Sequence, residues 1–389
     1  MKIRRRRAID TSPLADWIAG QIPHPLIRLR FLQSTMVPRP SLYPGMSYKS
    51  WTLVAILVVL LLLTAPASVP RVRAANGVPR LLVAVSPGPA RVRVEQTPEI
   101  WQVEKTDAFE TYSNGLRIDN RFAIGTRPRS YLAFSATQPD DVRGERRLVP
   151  AGIVFHTTES LQVPFEPGHN STLKGISVSL LAYVKAKRAY NFLIDRFGRV
   201  YRVVRESDAA NHAGSSIWSD ADWLYLDLNQ SFLAVSFETR TLPGQEEAAV
   251  NPAQVRSAAM LTDMLRKRYS IPAGNCVTHA QVSVNASNLR IGYHVDWASS
   301  FPFDQLGLPD NYALPLPSVS LAGFEFDADF EHKAGVRVFQ EAQLAEQILR
   351  DRAAAANVEV PVYRRGLQKR YRRLLAVVRS NTNRSDEDE

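Results

Sequence analysis

Two short runs of apolar residues constrain the fold of this chain most. Residues 153–155 read Ile-Val-Phe, and residues 232–237 read Phe-Leu-Ala-Val-Ser-Phe. Runs of this length and composition are typical of strands buried within a sheet. Asn251 and Pro252 supply a cap and a first-turn proline for a helix that we predict to end near Ser270. We therefore predict an α/β fold, with α+β as the variant, in which helices flank a central mixed β-sheet.

The pattern of apolar runs and turn signals divides the chain into four segments. Residues 1–75 form an N-terminal extension, and residues 76–150 form a small β-rich module with Asn114-Gly115 as a hairpin turn. Residues 151–310 form the main domain, in which strands and helices are mixed. Residues 311–389 form a helical C-terminal extension with a basic helix and an acidic tail.

The N-terminal extension contains the pattern of an export signal. Residues 51–63 are apolar apart from Thr52, and Pro66 ends a run that is short for a membrane span, which needs about 20 residues. Lys49 precedes the run, and small residues that suit cleavage follow it, which is typical of a secretory signal peptide. The alternative is an uncleaved anchor that tethers the chain to a membrane through residues 51–65. Both interpretations place the protein outside the cytoplasm, secreted or anchored at the cell envelope.

The charge of the chain does not favour nucleic acid as a partner. The formal net charge is +10, but residues 1–50 contain nine Lys and Arg against two Asp, which is +7 and leaves only +3 for the rest. No basic groove for a polyanion is therefore implied. The single cysteine, Cys276, excludes an internal disulfide. We predict that Cys276 is a small buried hydrophobic residue.

Histidines and carboxylates occur where the predicted strands end. His156 follows the strand at 153–155, His279 follows a short apolar stretch, and Asp296 lies 17 residues further on. Two histidines and a carboxylate are the ligand set of a catalytic zinc that keeps one position open. Glu238 closes the strand at 232–237, where a carboxylate can serve as a general base toward an activated water. The alternatives are a hydrogen-bonded core histidine at 156 and an ordinary strand-end salt bridge at Glu238.

Four ordered stretches resemble one enzyme family. The chain is similar, over roughly residues 150 to 305, to the zinc-dependent N-acetylmuramoyl-L-alanine amidases of type 2, which include the peptidoglycan recognition proteins. The stretches that carry the resemblance are Gly152-Ile-Val-Phe-His156-Thr-Thr, Ala189-Tyr190-Asn-Phe-Leu-Ile-Asp-Arg-Phe-Gly198, Asn211-His212-Ala-Gly214-Ser-Ser-Ile-Trp218, and Leu228-Asn229-Gln-Ser-Phe-Leu-Ala-Val-Ser-Phe-Glu238.

The resemblance implies a cofactor and a set of site residues. The cofactor is Zn²⁺, bound by His156, His279 and Asp296. Glu238 is the base, and Tyr190 positions or stabilises the reacting centre. The residues implied to face the substrate are His212, Trp218 and Asn229. The alternative for His212 and Trp218 is a role in packing the loop.

One departure from the family concerns His294. Many bacterial members have a lysine two residues before the third ligand, and this chain has His294 there. In an extended segment His294 points the same way as Asp296, and its neutral imidazole would donate a hydrogen bond to the oxyanion. The rival assignment makes His294 the third zinc ligand and Asp296 its hydrogen-bond partner.

The function implied by the resemblance is hydrolysis of the amide bond between N-acetylmuramic acid and L-alanine, with peptidoglycan as the partner. One alternative is a non-catalytic recognition module that binds peptidoglycan without turnover. A second is a membrane-tethered interaction protein in which the amidase fold serves only as a scaffold.

Overall fold

A computed structural model of the chain describes residues 99–387 apart from 139, 243 and 245–247. The predicted export signal or anchor at residues 51–65 lies outside the described residues, as does the predicted β-rich module up to residue 98. Among the helices that are described, none combines the length and apolar character needed to cross a membrane.

The described secondary structure alternates between strands and helices along most of its length. The strands are β1 (Gln102–Lys105), β2 (Phe109–Tyr112), β3 (Arg117–Asp119), β4 (Tyr131–Ser135), β5 (Glu145–Arg147), β6 (Gly152–Thr157), β7 (Phe192–Ile194), β8 (Val200–Arg202), β9 (Ile217–Ser219), β10 (Trp223–Leu226), β11 (Phe232–Phe237), β12 (Cys276–Thr278), β13 (Val284–Asn285) and β14 (Arg290–Ile291). The α-helices are α1 (Asn170–Ala186), α2 (Leu228–Ser231), α3 (Pro252–Tyr269), α4 (His279–Val282), α5 (Pro317–Ser320), α6 (Asp329–Ala355) and α7 (Val360–Glu387).

The largest sheet is mixed, as the sequence predicts. Its strand order is β1-β2-β3-β8-β7-β11-β6-β12. Strands β6 and β11 pair in parallel at the centre, and β12 and β7 extend this parallel core on either side. Strands β1 to β3, from the segment assigned to the β-rich module, belong to this same sheet because β3 pairs with β8. A smaller antiparallel sheet has the order β5-β4-β10-β9.

Helices cover both faces of the parallel core. Side chains alternate between the two faces of a strand. Phe155 and Val235 pack into the cluster that contains Leu261 of α3, whereas Leu193 packs with Leu181 of α1. Since Phe155 faces α3, the neighbouring residue 156 points toward the α1 side of the sheet.

Helix α3 begins and ends where the sequence predicts. The side chain of Asn251 accepts hydrogen bonds from the backbone N–H groups of Ala253 and Gln254, and Pro252 occupies the first turn. The helix ends at Tyr269, and Ser270 adopts the left-handed conformation. This cap confirms the predicted start of the helix.

Helix α6 is interrupted at Gly335, where it meets the loop that follows Asp296. Gly335 has φ 80°, and a Cβ there would lie 2.5 Å from Oγ of Ser299. The Ser299 hydroxyl donates to the carbonyl of Ala334 at 2.8 Å and accepts from the N–H of Val338 at 3.1 Å. Only glycine fits this close approach at positive φ. The C-terminal extension is thereby joined to the loop that carries Asp296.

Candidate metal centre and substrate cleft

Three side chains that are distant in sequence converge at the carboxyl end of the parallel strands. His156 lies near the end of β6, His279 is the first residue of α4 after β12, and Asp296 lies in the loop after β14. Because β6 and β12 are adjacent and parallel, they deliver the two imidazoles side by side, with ring centroids 4.6 Å apart. The possible ligand atoms of the three residues all lie within 4.8 Å of one another.

The spacing of these atoms fits a tetrahedral metal site. Nδ1 of His156 lies 3.2 Å from Oδ2 of Asp296, and Nδ1 of His279 lies 3.3 Å from Oδ1. Zinc ligands at about 2.0–2.1 Å in tetrahedral geometry are about 3.3 Å from one another. Nε2 of His279 is buried and has no hydrogen-bond partner among the described residues. The three residues therefore form a group that could hold a metal ion, and their ligand types are compatible with Zn²⁺.

The charge states of the site also suit metal binding. Burial raises the pKa of Asp296, but the charge of His279 and the hydrogen bonds from His156 and His279 outweigh it and hold that pKa well below the ordinary value. Burial, together with repulsion from His279, lowers the pKa of His156 to about 4. At neutral pH the site therefore offers an ionised carboxylate and a neutral imidazole, which are the forms that ligate metals.

His212 contacts the candidate ligand His156. Its Nδ1 lies 3.1 Å from Nε2 of His156, on the side of the ring opposite Asp296. Oδ1 of Asn229 holds the loop in place by accepting hydrogen bonds from the backbone N–H groups of His212, Ala213 and Gly214, at 2.8, 2.7 and 3.2 Å. Both residues were assigned to substrate binding from the sequence. The structure places His212 against a ligand and Asn229 under the loop, and their contact with substrate stays a prediction.

Tyr190 lies beside the cluster. Its ring is 5.1 Å from that of His156, and its φ of 60° is unusual for a residue other than glycine. Burial and the charge of Asp296 raise the pKa of Tyr190. The phenol is therefore protonated at neutral pH. Ser236 pairs in register with His156 but was not singled out from the sequence, although it lies two residues before Glu238 on the same strand face.

Glu238 lies further along the same strand face. It is two residues beyond Ser236, a rise of about 6–7 Å in a parallel strand. Its Oε2 accepts hydrogen bonds from Oγ of Ser177 at 2.6 Å and from the N–H of Arg196 at 3.3 Å, and neither donor is a histidine of the cluster. Burial raises the pKa of Glu238, and the bond from Ser177 opposes that rise. Its role as the general base stays a prediction.

His294 stacks on a ligand instead of joining the ligand group. Its ring is 4.9 Å from that of His279, with an interplanar angle of 19°. Within the described part of the chain, the group that could hold a metal contains Asp296 and not His294. The geometry thus favours the carboxylate as the third ligand, and His294 remains close enough to act on a bound substrate.

An unusual turn follows Asp296. Trp297 and Ala298 have φ values of 71° and 43°, and two successive left-handed residues other than glycine are costly. Packing holds this turn in place, since Trp297 is buried with its ring 5.1 Å from Phe237 and 5.0 Å from Phe301. The direction of Asp296 is therefore fixed by the aromatic core.

Two residues singled out from the sequence lie in the interior. Trp218 is 1% exposed, and its indole N–H donates to Oδ1 of Asn275. It lines a separate cavity with Leu314 and Arg352, so the structure does not bring it to the cluster. Cys276 is buried as predicted, and burial raises the pKa of its thiol to about 12.

A cleft opens beside the metal centre. Its volume is about 460 Å³, and its lining includes His212, His294, Tyr293 and Arg379. Tyr293 is 64% exposed, and its ring lies edge-on to His294 at 4.6 Å. The rings of His279, His294 and Tyr293 therefore form a continuous path from the ligand cluster to the cleft.

Several solved structures resemble the chain. The N-acetylmuramoyl-L-alanine amidase LysC from Clostridium intestinale is 17% identical, covers 47% of this chain and 93% of its own, and has a TM-score of 0.26. The N-acetylmuramyl-L-alanine amidase AmiD from E. coli, solved with a muropeptide substrate, is 20% identical over 62% of this chain and 89% of its own, with a TM-score of 0.32. Drosophila peptidoglycan recognition protein SD is 16% identical, covers 42% of this chain and 85% of its own, and has a TM-score of 0.26.

The family comparison agrees with the sequence resemblance. A search of curated proteins gave no match. Residues 146–290 match the family described as N-acetylmuramoyl-L-alanine amidase. This segment includes His156, His279 and the central strands β6, β11 and β12. Residues 146–290 are therefore similar to the N-acetylmuramoyl-L-alanine amidase family.

Proposed function

We propose that this protein is a zinc-dependent amidase that hydrolyses the bond between N-acetylmuramic acid and L-alanine in peptidoglycan. The observation that carries the proposal is the convergence of His156, His279 and Asp296, with Nδ1 to carboxylate distances of 3.2 and 3.3 Å. The similarity of residues 146–290 to the amidase family supports the same reaction. The open cleft beside the cluster gives a substrate access to it.

Each of the three ligands has a defined part in holding the metal. His156 and His279 would each present Nδ1, and Asp296 would supply a carboxylate oxygen. Zinc bound in this way supplies Lewis acidity and lowers the pKa of water. His212 keeps the ring of His156 oriented through the 3.1 Å contact to Nε2, because a ligand imidazole is fixed by what its other nitrogen contacts.

Glu238 is the proposed general base. Its Oε1 is buried without a hydrogen-bond partner among the described residues, so this oxygen is free to accept a proton from the attacking water. Oε2 accepts a hydrogen bond from Ser177, which holds the carboxylate in place while Oε1 accepts the proton. The raised pKa of Glu238 favours uptake of the proton and its later delivery to the nitrogen of the leaving L-alanine.

Tyr190 and His294 are the proposed stabilisers of the oxyanion. Burial keeps the Tyr190 phenol protonated, so its O–H remains a donor. Burial also lowers the pKa of His294, and the neutral imidazole retains one N–H to donate. Donors that are already in place where negative charge develops lower the barrier without reorganisation.

Zinc content and product analysis test the proposal together. We expect about one zinc per chain, lost in His156→Ala and His279→Ala, because two remaining ligands do not close the site. His332→Ala, which changes a histidine outside the ligand group, is the matched control and should retain zinc. Digestion of peptidoglycan should release new L-alanine amino termini without new reducing sugar ends. Full zinc occupancy in both ligand variants, or new reducing ends, would contradict the proposal.

A second candidate function is recognition of peptidoglycan without turnover. The observation that favours it is the attachment of Glu238 to Ser177 and Arg196 instead of to the histidine cluster. In that case the full chain would bind peptidoglycan and zinc, but no amide bond would be cleaved. Measurement of binding and product release on the same preparation separates the two candidates.

We also propose that the protein works outside the cytoplasm. The apolar run at residues 51–63, with Lys49 before it and small residues after it, supports export. N-terminal sequencing of protein recovered from the envelope and from the medium tests this. A mature terminus between residues 65 and 75 indicates cleavage, an intact terminus at the membrane indicates an anchor, and recovery only from the cytoplasm would contradict export.

A further inference from the structure

Helix α7 is firmly attached to the domain, although it lies outside the segment that matches the amidase family. Tyr371 is 4% exposed and Leu374 is fully buried, and the Tyr371 ring meets Phe324 edge-on at 5.0 Å. Nε2 of Gln368 donates to the carbonyl of Gly323 at 2.9 Å. These contacts fix the position and rotation of the helix, and therefore the direction of the side chains that it presents.

Arg379, near the end of the packed part of this helix, reaches the substrate cleft. It lines the cleft of about 460 Å³ together with His212 and His294. It also lines an adjoining cavity of about 300 Å³, whose other wall includes Asp227. Ser215 of the loop that carries His212 lines both spaces. Arg379 therefore lies at the junction of the two spaces, beside the loop that supports the metal centre.

The lining of the larger cleft contains one arginine and no carboxylate among the described residues. Arg379 is the one permanently charged side chain among the described residues that line it. Among the described residues, no carboxylate lies within ion-pair distance of Arg379. This holds also for Asp227, which lines the adjoining cavity. A ligand in this cleft would therefore meet a free guanidinium.

We infer that Arg379 binds a carboxylate of the stem peptide, specifically the free α-carboxylate of a γ-linked D-glutamate that follows L-alanine. This inference rests on the proposed function, and it names a specificity residue that the family segment does not contain. Arginine suits the role because its planar fork binds a carboxylate through two parallel hydrogen bonds. The second residue of the stem lies within about 7 Å of the scissile bond in an extended chain, so a cleft adjoining the metal centre can hold it.

Two matched muropeptides test this inference on the full chain. One is N-acetylmuramoyl-L-alanyl-D-γ-glutamyl-L-lysine, and the other carries an α-carboxamide in place of the glutamate α-carboxylate. We expect kcat/KM to favour the carboxylate form by about 10- to 100-fold, the range for one hydrogen-bonded charge pair. In Arg379→Gln this ratio should fall toward one. Arg373→Gln, on the same helix but not among the residues that line either space, should keep the ratio.

The outcomes separate the inference from the proposed function. Hydrolysis of both muropeptides at equal kcat/KM, or an equal loss for both in Arg379→Gln, would overturn the inference while the amidase function stands. If neither is hydrolysed, the dissociation constants of the same two compounds decide. Tighter binding of the carboxylate form that disappears in Arg379→Gln but not in Arg373→Gln supports the inference although the proposed function fails. Equal dissociation constants for the two compounds would overturn the inference.

Discussion

Nδ1 of His156 lies 3.2 Å from Oδ2 of Asp296, although 140 residues separate the two in the chain. His156 belongs to the segment that matches the amidase family, whereas Asp296 lies beyond its end at residue 290. The carboxylate that completes the candidate metal centre therefore comes from the loop that is braced by the C-terminal extension. This contact favours Asp296 over His294 as the third candidate ligand.

We expect Asp296→Ala to lose zinc and His294→Ala to retain it. Asp296 contacts Nδ1 of both histidine ligands, whereas His294 only stacks on one of them. His294→Ala should also lower kcat by roughly 100-fold, the scale of one lost oxyanion donor. Metal analysis of both variants, with kcat measured on reconstituted protein, checks this. Zinc retained in Asp296→Ala but lost in His294→Ala would show that the site has three histidine ligands.

Glu238→Gln should keep zinc and lose most hydrolysis. An amide cannot accept the proton of the attacking water, and general-base catalysis contributes about 10²- to 10⁴-fold. The amide oxygen can still accept the hydrogen bond from Ser177, so the fold should be retained. Turnover numbers and zinc content of the variant are the measurements. Unchanged turnover would reassign Glu238 to a structural role.

The strand-end histidines could be predicted from sequence because their placement depends on local patterns. An apolar run that ends in histidine determines both the strand and the edge at which the imidazole lies. The third ligand could not be resolved between His294 and Asp296, because the turn at Trp297 and Ala298 depends on aromatic packing and not on local propensity. Packing also explains Trp218, whose indole ring fills the interior instead of the cleft.

The contribution of the C-terminal extension could not be predicted from sequence either. A basic helix pattern gives no indication that Arg379 reaches the cleft while Arg364 pairs with Glu346 at 2.6 Å. The surroundings of each arginine depend on how the helix packs against the domain, and the local sequence does not specify this packing. The burial of Glu341 of α6 next to the helix that carries His279 could not be predicted from sequence for the same reason.

Glu341→Gln should stabilise the protein increasingly as the pH rises. Oε1 of Glu341 accepts a hydrogen bond from Nε2 of Gln281 at 2.6 Å, and Oε1 of Gln281 accepts one from the N–H of Thr278, next to His279. Burial raises the pKa of Glu341 well above its ordinary value, so the folded chain favours the neutral acid. That stabilisation is complete below the pKa of the unfolded chain, near about 4.3, and is lost as the pH rises through the folded pKa.

The measurement is the free energy of unfolding of both proteins as a function of pH. The difference should be small near about pH 4 and should then grow in favour of Glu341→Gln by at most about 1.4 kcal/mol per pH unit. Glu346→Gln, at an ion-paired position on the same helix, is the control and should not show this trend. A difference that is independent of pH would mean that Glu341 is not held in its neutral form.

Arg202→Met should destabilise the fold strongly. The Arg202 guanidinium lies 3.0 Å from Glu110 and 2.8 Å from Glu206, and all three side chains are less than a tenth exposed. The substitution removes the closest cation from two buried carboxylates and leaves Glu110 with Lys105 and Glu206 with Arg268, each at 3.7 Å. Removing one partner of a buried ion pair costs about 3–5 kcal/mol. Arg121→Met removes an exposed partner of Asp119 and should leave the stability nearly unchanged. Equal denaturation midpoints for the two variants would contradict this view of how β2 is joined to the sheet.

The most direct test of the central claim follows the oxygen atom of water into the product. The zinc-loaded full chain is incubated with N-acetylmuramoyl-L-alanyl-D-γ-glutamyl-L-lysine in water enriched in heavy oxygen, and the products are analysed by mass spectrometry. We expect free tripeptide without label and N-acetylmuramic acid with one heavy oxygen in its lactyl carboxyl group, with both products absent in His156→Ala. An intact muropeptide, or label in the tripeptide, would contradict the assignment of this protein as a zinc amidase of the muramoyl–alanine bond.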